Sequence, residues 1–289
     1  MYPAPFEYHR AASVQDAVML LDRFGEDGKL LAGGHSLLPV MKLRFASPAH
    51  LIDIAKIPGL SGIAERDGMI YIGAATVHAE VAASTLIRSR FALIAKAASL
   101  IGDVQVRNRG TIGGSLAHAD PGADYPAVLL ATGAQIVAVG KKGERVIASE
   151  NFFVDTLATA LDIGEIITEV RIPLIGKATG AVYEQLSDPA SGYAVVGVAG
   201  VVSIENGKVT AARLGMTGLA QKAVRLTAAE KAIVGQPASE TSTLTAASKA
   251  AEGLSLYDDQ RGSAEFKGHL AQVYTRRALD RAIALAKES

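Results

Sequence analysis

The 289-residue chain contains no cysteine. It can form no disulfide, offers no thiol nucleophile and holds no cysteine-ligated iron–sulfur cluster, so electrons from such clusters would have to come from another polypeptide. Long apolar runs are also missing: no stretch nears the roughly eighteen uninterrupted apolar residues that a membrane span needs. Neither sign of charge is in excess, Lys plus Arg and Asp plus Glu standing at 29 each, and no basic block stands out. A nucleic acid or an anionic membrane is therefore disfavoured as a partner, because both need a concentrated positive field. The opening MYPAPFEYHR has no basic segment followed by an apolar one, so no secretory signal is expected and the cytoplasm is the expected location.

Signatures of several chemistries are absent as well. No GxGxxG lies between a strand and a helix, and no GxxxxGK precedes Ser or Thr, which removes support for a doubly wound dinucleotide fold and for a P-loop. No Ser/His/Asp or paired-carboxylate arrangement can be placed at a convincing spacing, so no catalytic side chain is assigned. The His118–Asp120 triplet invites a metal reading, but nothing supplies the remaining ligands at a recognisable spacing, and no metal is expected. With 49% apolar and 20% charged residues, the chain is globular and long enough for two domains.

What is present is a pair of glycine-rich stretches. Ala32–Ser36 reads AGGHS, and Arg107–Asp124 reads RNRGTIGGSLAHADPGAD. Each sets glycines beside small hydroxyl residues, so the backbone can turn sharply and no side chain blocks an approaching ligand. Converging N–H groups and neighbouring hydroxyls suit an anion, and phosphate is the expected one. Gly33, Gly34 and Ser36 would donate from one side, and Thr111, Gly113, Gly114 and Ser115 from the other. His35 could face the ligand or be a solvent-exposed turn histidine. Asp124 could hold a ligand or cap the short helix expected over Ala127–Thr132.

The surrounding pattern predicts an α+β fold. Helix signals over Val14–Phe24, with Ser13 as N-cap, and strand signals over Lys29–Ala32 and Leu51–Ile54 make a first subdomain of residues 1–58. Residues 59–176 carry strands at Met69–Ile72, Gln135–Val139 and Glu165–Ile172, with helices at Val77–Ser84 and Phe91–Ile101. Pro173 and the following GKATG mark the expected boundary. Residues 177–289 give a smaller domain with three antiparallel strands, Gly180–Leu186, Val195–Ile204 and Lys208–Met216. Helices follow, the last carrying Phe266, Leu270, Val273, Tyr274, Ala278 and Leu279 as an apolar stripe.

The segments AGGHSLLPVMKLR and VRNRGTIGGSLAHADPGAD, with an opening FEYHRAAS and a closing RGSAEFKGHLAQVYTRRAL, resemble the FAD-binding medium subunit of the molybdenum hydroxylases, the group that includes aerobic carbon monoxide dehydrogenase. The resemblance spans nearly the whole chain. It implies an FAD-binding domain of the PCMH/VAO type in two subdomains, then a C-terminal flavoprotein domain. It implies FAD as cofactor here, held by Ala32, the two loops and Asp124, with Ile101, Gly102 and Leu161 lining the flavin and Tyr193 covering one face of its ring. Gln185 stands where the family often has lysine, and Ser115 where it often has asparagine. The missing cation puts the redox tuning and the acceptor in question more than flavin binding itself.

The function implied is electron transfer. A molybdopterin-binding large subunit would oxidise the substrate, a small subunit would relay electrons through 2Fe–2S clusters, and this chain's FAD would pass them to an external acceptor, in a dimer of heterotrimers. Two other readings stay open: a self-sufficient flavin reductase or oxidase of the same broad fold, and a non-catalytic nucleotide-binding assembly module.

Overall fold

The computed structural model describes residues 2–260 and 262–289. Met1, which opens the N-terminal segment, and Arg261, which opens the closing motif, lie outside the described residues. Strand β1 (Glu7–Arg10) leads to Ser13, whose hydroxyl accepts from the Asp16 N–H and so caps helix α1 (Val14–Phe24). Strand β2 (Gly28–Leu31), helix α2 (Leu37–Lys42) and strand β3 (His50–Asp53) follow. The three strands form a parallel sheet in the order β1-β3-β2, with buried Ala17 and Val18 of α1 in the same core as Ile52. β1 has no counterpart in the expected strands, because Glu7, Tyr8 and Arg10 are exposed and leave no apolar alternation to read.

The middle of the chain builds a second sheet. In order come β4 (Ile63–Arg66), β5 (Met69–Gly73), α3 (His78–Ala83), α4 (Thr85–Arg90), α5 (Ala92–Leu100), α6 (Val104–Arg107), α7 (Ile112–His118) and α8 (Asp124–Thr132). Then follow β6 (Gln135–Gly140), β7 (Gly143–Ala148), α9 (Ser149–Phe152), a small ribbon of β8 (Phe153–Asp155) and β9 (Ala158–Thr159), and β10 (Ile166–Pro173). Five of these strands form an antiparallel sheet in the order β4-β5-β10-β6-β7.

The stretch read as one glycine loop, Arg107–Asp124, instead contains helix α7, with Gly113, Gly114 and Ser115 inside it. Thr111 makes this possible: its hydroxyl accepts from the Gly114 N–H at 3.1 Å and caps the helix. The short helix expected from Ala127 begins at Asp124, since Pro126 falls in the first turn, where a missing N–H costs nothing.

Beyond Gly176, β11 (Thr179–Ser187), β12 (Ala194–Glu205) and β13 (Lys208–Thr217) form the three expected antiparallel strands. A two-residue strand, β14 (Val224–Arg225), adds a fourth at the β13 edge. Helices α10 (Thr227–Ile233), α11 (Glu240–Ala247) and α12 (Ala264–Glu288) complete the chain. Leu270, Tyr274, Ala278 and Leu279 of α12 are buried in the core shared with β12 and β13, whereas Phe266 at its start is 46% exposed. Helix α8 is buried at every position and packs on β12 and β13, joining the two halves.

One ion pair locks the C-terminal sheet to α10. Buried Glu230 accepts from the Leu214 N–H at 2.7 Å and from the Arg225 guanidinium at 2.8 and 2.5 Å. Glu230→Ala would strand that N–H and leave Arg225 only its second partner, Glu150. The expected loss is about 3 kcal/mol, the lower end for breaking a buried pair. A urea midpoint unchanged from wild type would show that Glu230 does not lock the sheet.

Candidate functional site

A cleft enclosing about 610 Å³ opens between the first two sheets and the start of the third, a volume suited to a cofactor. Its first wall is the turn leaving β2. Gly34 takes φ 75°, and the Leu38 N–H donates back to the Gly34 carbonyl to start α2. Ser36 stands at the N-cap position without making a capping bond, which leaves its hydroxyl available to the cleft. His35 lies within hydrogen-bond distance of its own turn, Nδ1 being 3.0 Å from the Gly33 carbonyl.

The second wall is the Thr111–Ser115 segment. It is fixed by backbone bonds to the strand-end segment 74–78: Ile112 N–H to Thr76 O, Gly113 N–H to Ala74 O and His78 N–H to Gly110 O. The two walls touch backbone to backbone. A Cβ on Gly33 would stand 2.2 Å from the Arg109 carbonyl oxygen and 2.7 Å from Gly110 Cα. Gly113 is equally confined, a Cβ there falling 2.6 Å from Ala74 Cβ, whereas Gly114 beside it is exposed to the cleft.

The remaining expected residues gather on the same cleft. Ile101, Gly102 and Leu161 line it with Ala32 and the two walls, Asp124 reaches it from the first turn of α8, and Tyr193, 38% exposed, enters it from the segment before β12. Gln185 is the exception. It does not line the cleft but donates from Nε2 to Asp124 Oδ1 at 2.8 Å, so any influence on a ligand passes through that carboxylate. The walls fit a dinucleotide cofactor: two side-chain-free approaches for a pyrophosphate, hydroxyls at Thr111, Ser115 and Ser36, and a largely apolar bay beyond them.

Comparison with known proteins gives this fit a family. The family described as the FAD binding domain in molybdopterin dehydrogenase matches residues 4–175, and the CO dehydrogenase flavoprotein C-terminal domain matches residues 181–282. The chain belongs to the FAD-binding medium subunits of carbon monoxide dehydrogenase-type molybdenum hydroxylases. It is 42% identical to the carbon monoxide dehydrogenase medium chain of Hydrogenophaga pseudoflava, with 98% of each chain covered. It is 38% identical to that of Afipia carboxidovorans, over 99% of this chain and all of the relative. Superposed on the solved carbon monoxide dehydrogenase from Hydrogenophaga pseudoflava that lacks the Mo-pyranopterin moiety of its cofactor, it gives a TM-score of 0.95 at 44% identity, covering 98% of this chain and 99% of the other.

The medium subunit is thus a flavoprotein component of an oxidoreductase, and FAD is its cofactor. The Asp124 carboxyl is strongly perturbed. Burial raises the carboxyl from the ordinary 3.8 to about 7, against the opposing effect of the Tyr183 hydroxyl, which donates to Oδ1 at 2.5 Å. Tyr183 and Gln185 both donate to Oδ1. Asp124 does not cap α8, whose N-cap is Ala123.

One cleft residue, His78, and one residue that supports the cleft from outside its lining, Arg107, went unassigned in the sequence. His78 lines the cleft and is buried, with Nδ1 3.2 Å from the Tyr125 hydroxyl. Burial, then the nearby His35 and Arg107, lower it to about 4, so it is neutral at physiological pH. Arg107 donates from Nη1 to the Ile101 and Gly102 carbonyls at 3.1 and 2.7 Å, pinning the turn at the flavin end of the expected set. Arg107 opens the quoted glycine stretch, so a signal for it existed. A lone histidine at a helix start gives none.

Proposed function

We propose that the medium subunit holds FAD with its pyrophosphate between the turn 33–36 and the start of α7, and that it serves as the outlet of a multisubunit complex. Bound FAD supplies the ability to take up electrons singly or in pairs and release them to another acceptor. In this reading a small subunit delivers electrons from 2Fe–2S clusters, a molybdopterin-binding large subunit oxidises the substrate, and the assembly is a dimer of heterotrimers. Nothing in the cleft of this chain selects carbon monoxide over an aldehyde, a purine or another N-heterocycle, because substrate chemistry belongs to the large subunit. We place the division between the two domains near residue 176, where the separate match regions leave a gap between residues 175 and 181.

The chain's own residues bind and orient. Thr111 spends its hydroxyl oxygen on the Gly114 N–H, and the Ile112 and Gly113 N–H groups donate to the Thr76 and Ala74 carbonyls, so this wall offers the pyrophosphate its Ser115 hydroxyl while the turn 33–36 offers N–H groups. Asp124 approaches the ribose or ribityl chain, and Ile101, Gly102 and Leu161 exclude water from the ring. The observation that carries this proposal is the convergence on one cleft of two loops more than seventy residues apart. Tyr193 covers the ring from the rim, so Tyr193→Ala is expected to keep FAD content within about twofold while shifting the flavin absorption band and potential. An unchanged spectrum and potential in Tyr193→Ala would remove Tyr193 from the ring face.

A further inference from the structure

On the small parallel sheet, β1 and β3 pair with Glu7 opposite His50. Glu7 and His9 are two residues apart on one strand and share a face, and His50 joins them from its neighbour. Three atoms converge there: His9 Nε2 lies 3.1 Å from His50 Nδ1, and Glu7 Oε2 lies 3.7 Å from the first and 3.5 Å from the second. We propose that Glu7, His9 and His50 form a binding site for a divalent transition-metal ion of the zinc class, clamping β1 to β3.

The triangle has the right size. Ligands at 2.0–2.1 Å from a tetrahedral zinc are about 3.3–3.4 Å apart, and a point equidistant from these three atoms lies about 2.0 Å from each. Two imidazoles and one carboxylate suit zinc and its first-row neighbours better than calcium or magnesium, which prefer all-oxygen shells. The rings are held in place: Phe24 of α1 stacks on His50 at 3.8 Å and 12° and leans on His9 at 4.7 Å. The two imidazole planes are inclined at 45°, so their in-plane lone pairs can meet at one ion. Both histidines are about a quarter exposed or less and Glu7 is 74% exposed, which leaves room for a water as fourth ligand.

The site would be structural. Each strand of this sheet is four residues long, and β2 delivers the chain directly into the Gly33–Gly34 turn. A bound ion would join the strand that starts the chain to the central strand of the sheet supporting the first cofactor wall.

The test uses the untagged full chain, stripped with EDTA and dialysed, then titrated with Zn2+ against a chromophoric chelator, with Co2+ as a spectroscopic probe. The expected result is saturation at one ion per chain, tetrahedral Co2+ bands, and a rise in Tm of about 5 °C at a hundredfold excess of Zn2+ over Kd. His50→Ala should weaken Zn2+ binding by at least about tenfold, and exposed Glu7→Gln should weaken it without disturbing the fold. His269→Ala, on an exposed position of α12, should leave it unchanged. Absence of stoichiometric binding would reduce the cluster to a histidine–histidine hydrogen bond with a neighbouring carboxylate. Binding that survives both Glu7→Gln and His50→Ala, or that vanishes in His269→Ala, would place the ion elsewhere and equally overturn the proposal.

Discussion

Gly33→Val abolishes FAD retention in the purified subunit while leaving the C-terminal sheet intact. The valine Cβ would be driven to 2.2 Å from the Arg109 carbonyl oxygen and 2.7 Å from Gly110 Cα. Those are backbone atoms, and the His78 N–H to Gly110 O bond and the Val77–Thr111 bridge hold them in place. Relief therefore has to come from parting the two walls. Overpacking of this kind costs about 1–3 kcal/mol in stability, a tolerable loss for a domain of this size. The effect on the ligand is larger, because each hydrogen bond to a charged phosphate contributes about 1.5–3 kcal/mol. Losing two weakens FAD binding by roughly a hundredfold to ten-thousandfold. Gly176→Ala is the control: no atom lies within 4 Å of its Cβ and its φ is not positive, so flavin content should match wild type. Normal flavin content in Gly33→Val, measured as absorbance per chain, would mean that the walls do not grip the cofactor together.

The second large effect concerns Asp124. Its carboxyl is raised from 3.8 to about 7 in the folded chain, mainly by burial. A raised pKa means that the folded state holds the proton more tightly than the unfolded state. The resulting stability is fully present below pH 3.8, the ordinary value, and is lost as pH rises through about 7. The contribution falls by up to about 1.4 kcal/mol per pH unit within that window. Asp124→Asn removes the titration and keeps an oxygen for the Tyr183 hydroxyl, so the mutant should gain on wild type steadily between pH 5 and about 7. Gln185→Lys should act in the same direction by another route. An ammonium beside Oδ1 favours the carboxylate, lowers the pKa of Asp124 and flattens the pH dependence. Asp124→Ala also removes the titration but leaves the fully buried Tyr183 hydroxyl without its acceptor, so it should lie about 1–3 kcal/mol below Asp124→Asn at every pH. Urea midpoints for the four proteins at several pH values decide the matter; parallel curves for wild type and Asp124→Asn would mean that the carboxyl titrates normally.

The loops were legible because glycine beside serine or threonine is a local pattern with a local cause. The helical character of the second was not. A seven-residue helix opening Ile-Gly-Gly has poor propensity, and it stands because Thr111 caps it and residues 74–76 bind its first N–H groups, contacts supplied from elsewhere in the chain. Asp124 could be singled out, but its partners Tyr183 and Gln185 come from β11, about sixty residues on, and burial rather than spacing sets its pKa. The strand β14 is two residues long and exists only as the pairing of Val224 and Arg225 with β13. Glu7, His9 and His50 were invisible as a group for a topological reason. No ligand spacing survives a crossover, and the parallel register of β1 on β3 alone brings residues 41 apart to 3.1 Å.

The most direct measurement is the visible absorption spectrum of the chain purified with its partner subunits, followed by chromatography of the cofactor released on denaturation. A flavin band with FAD released in stoichiometric amount, and lost in Gly33→Val, is the predicted result. A wild-type complex without flavin absorption would contradict the assignment of the cleft.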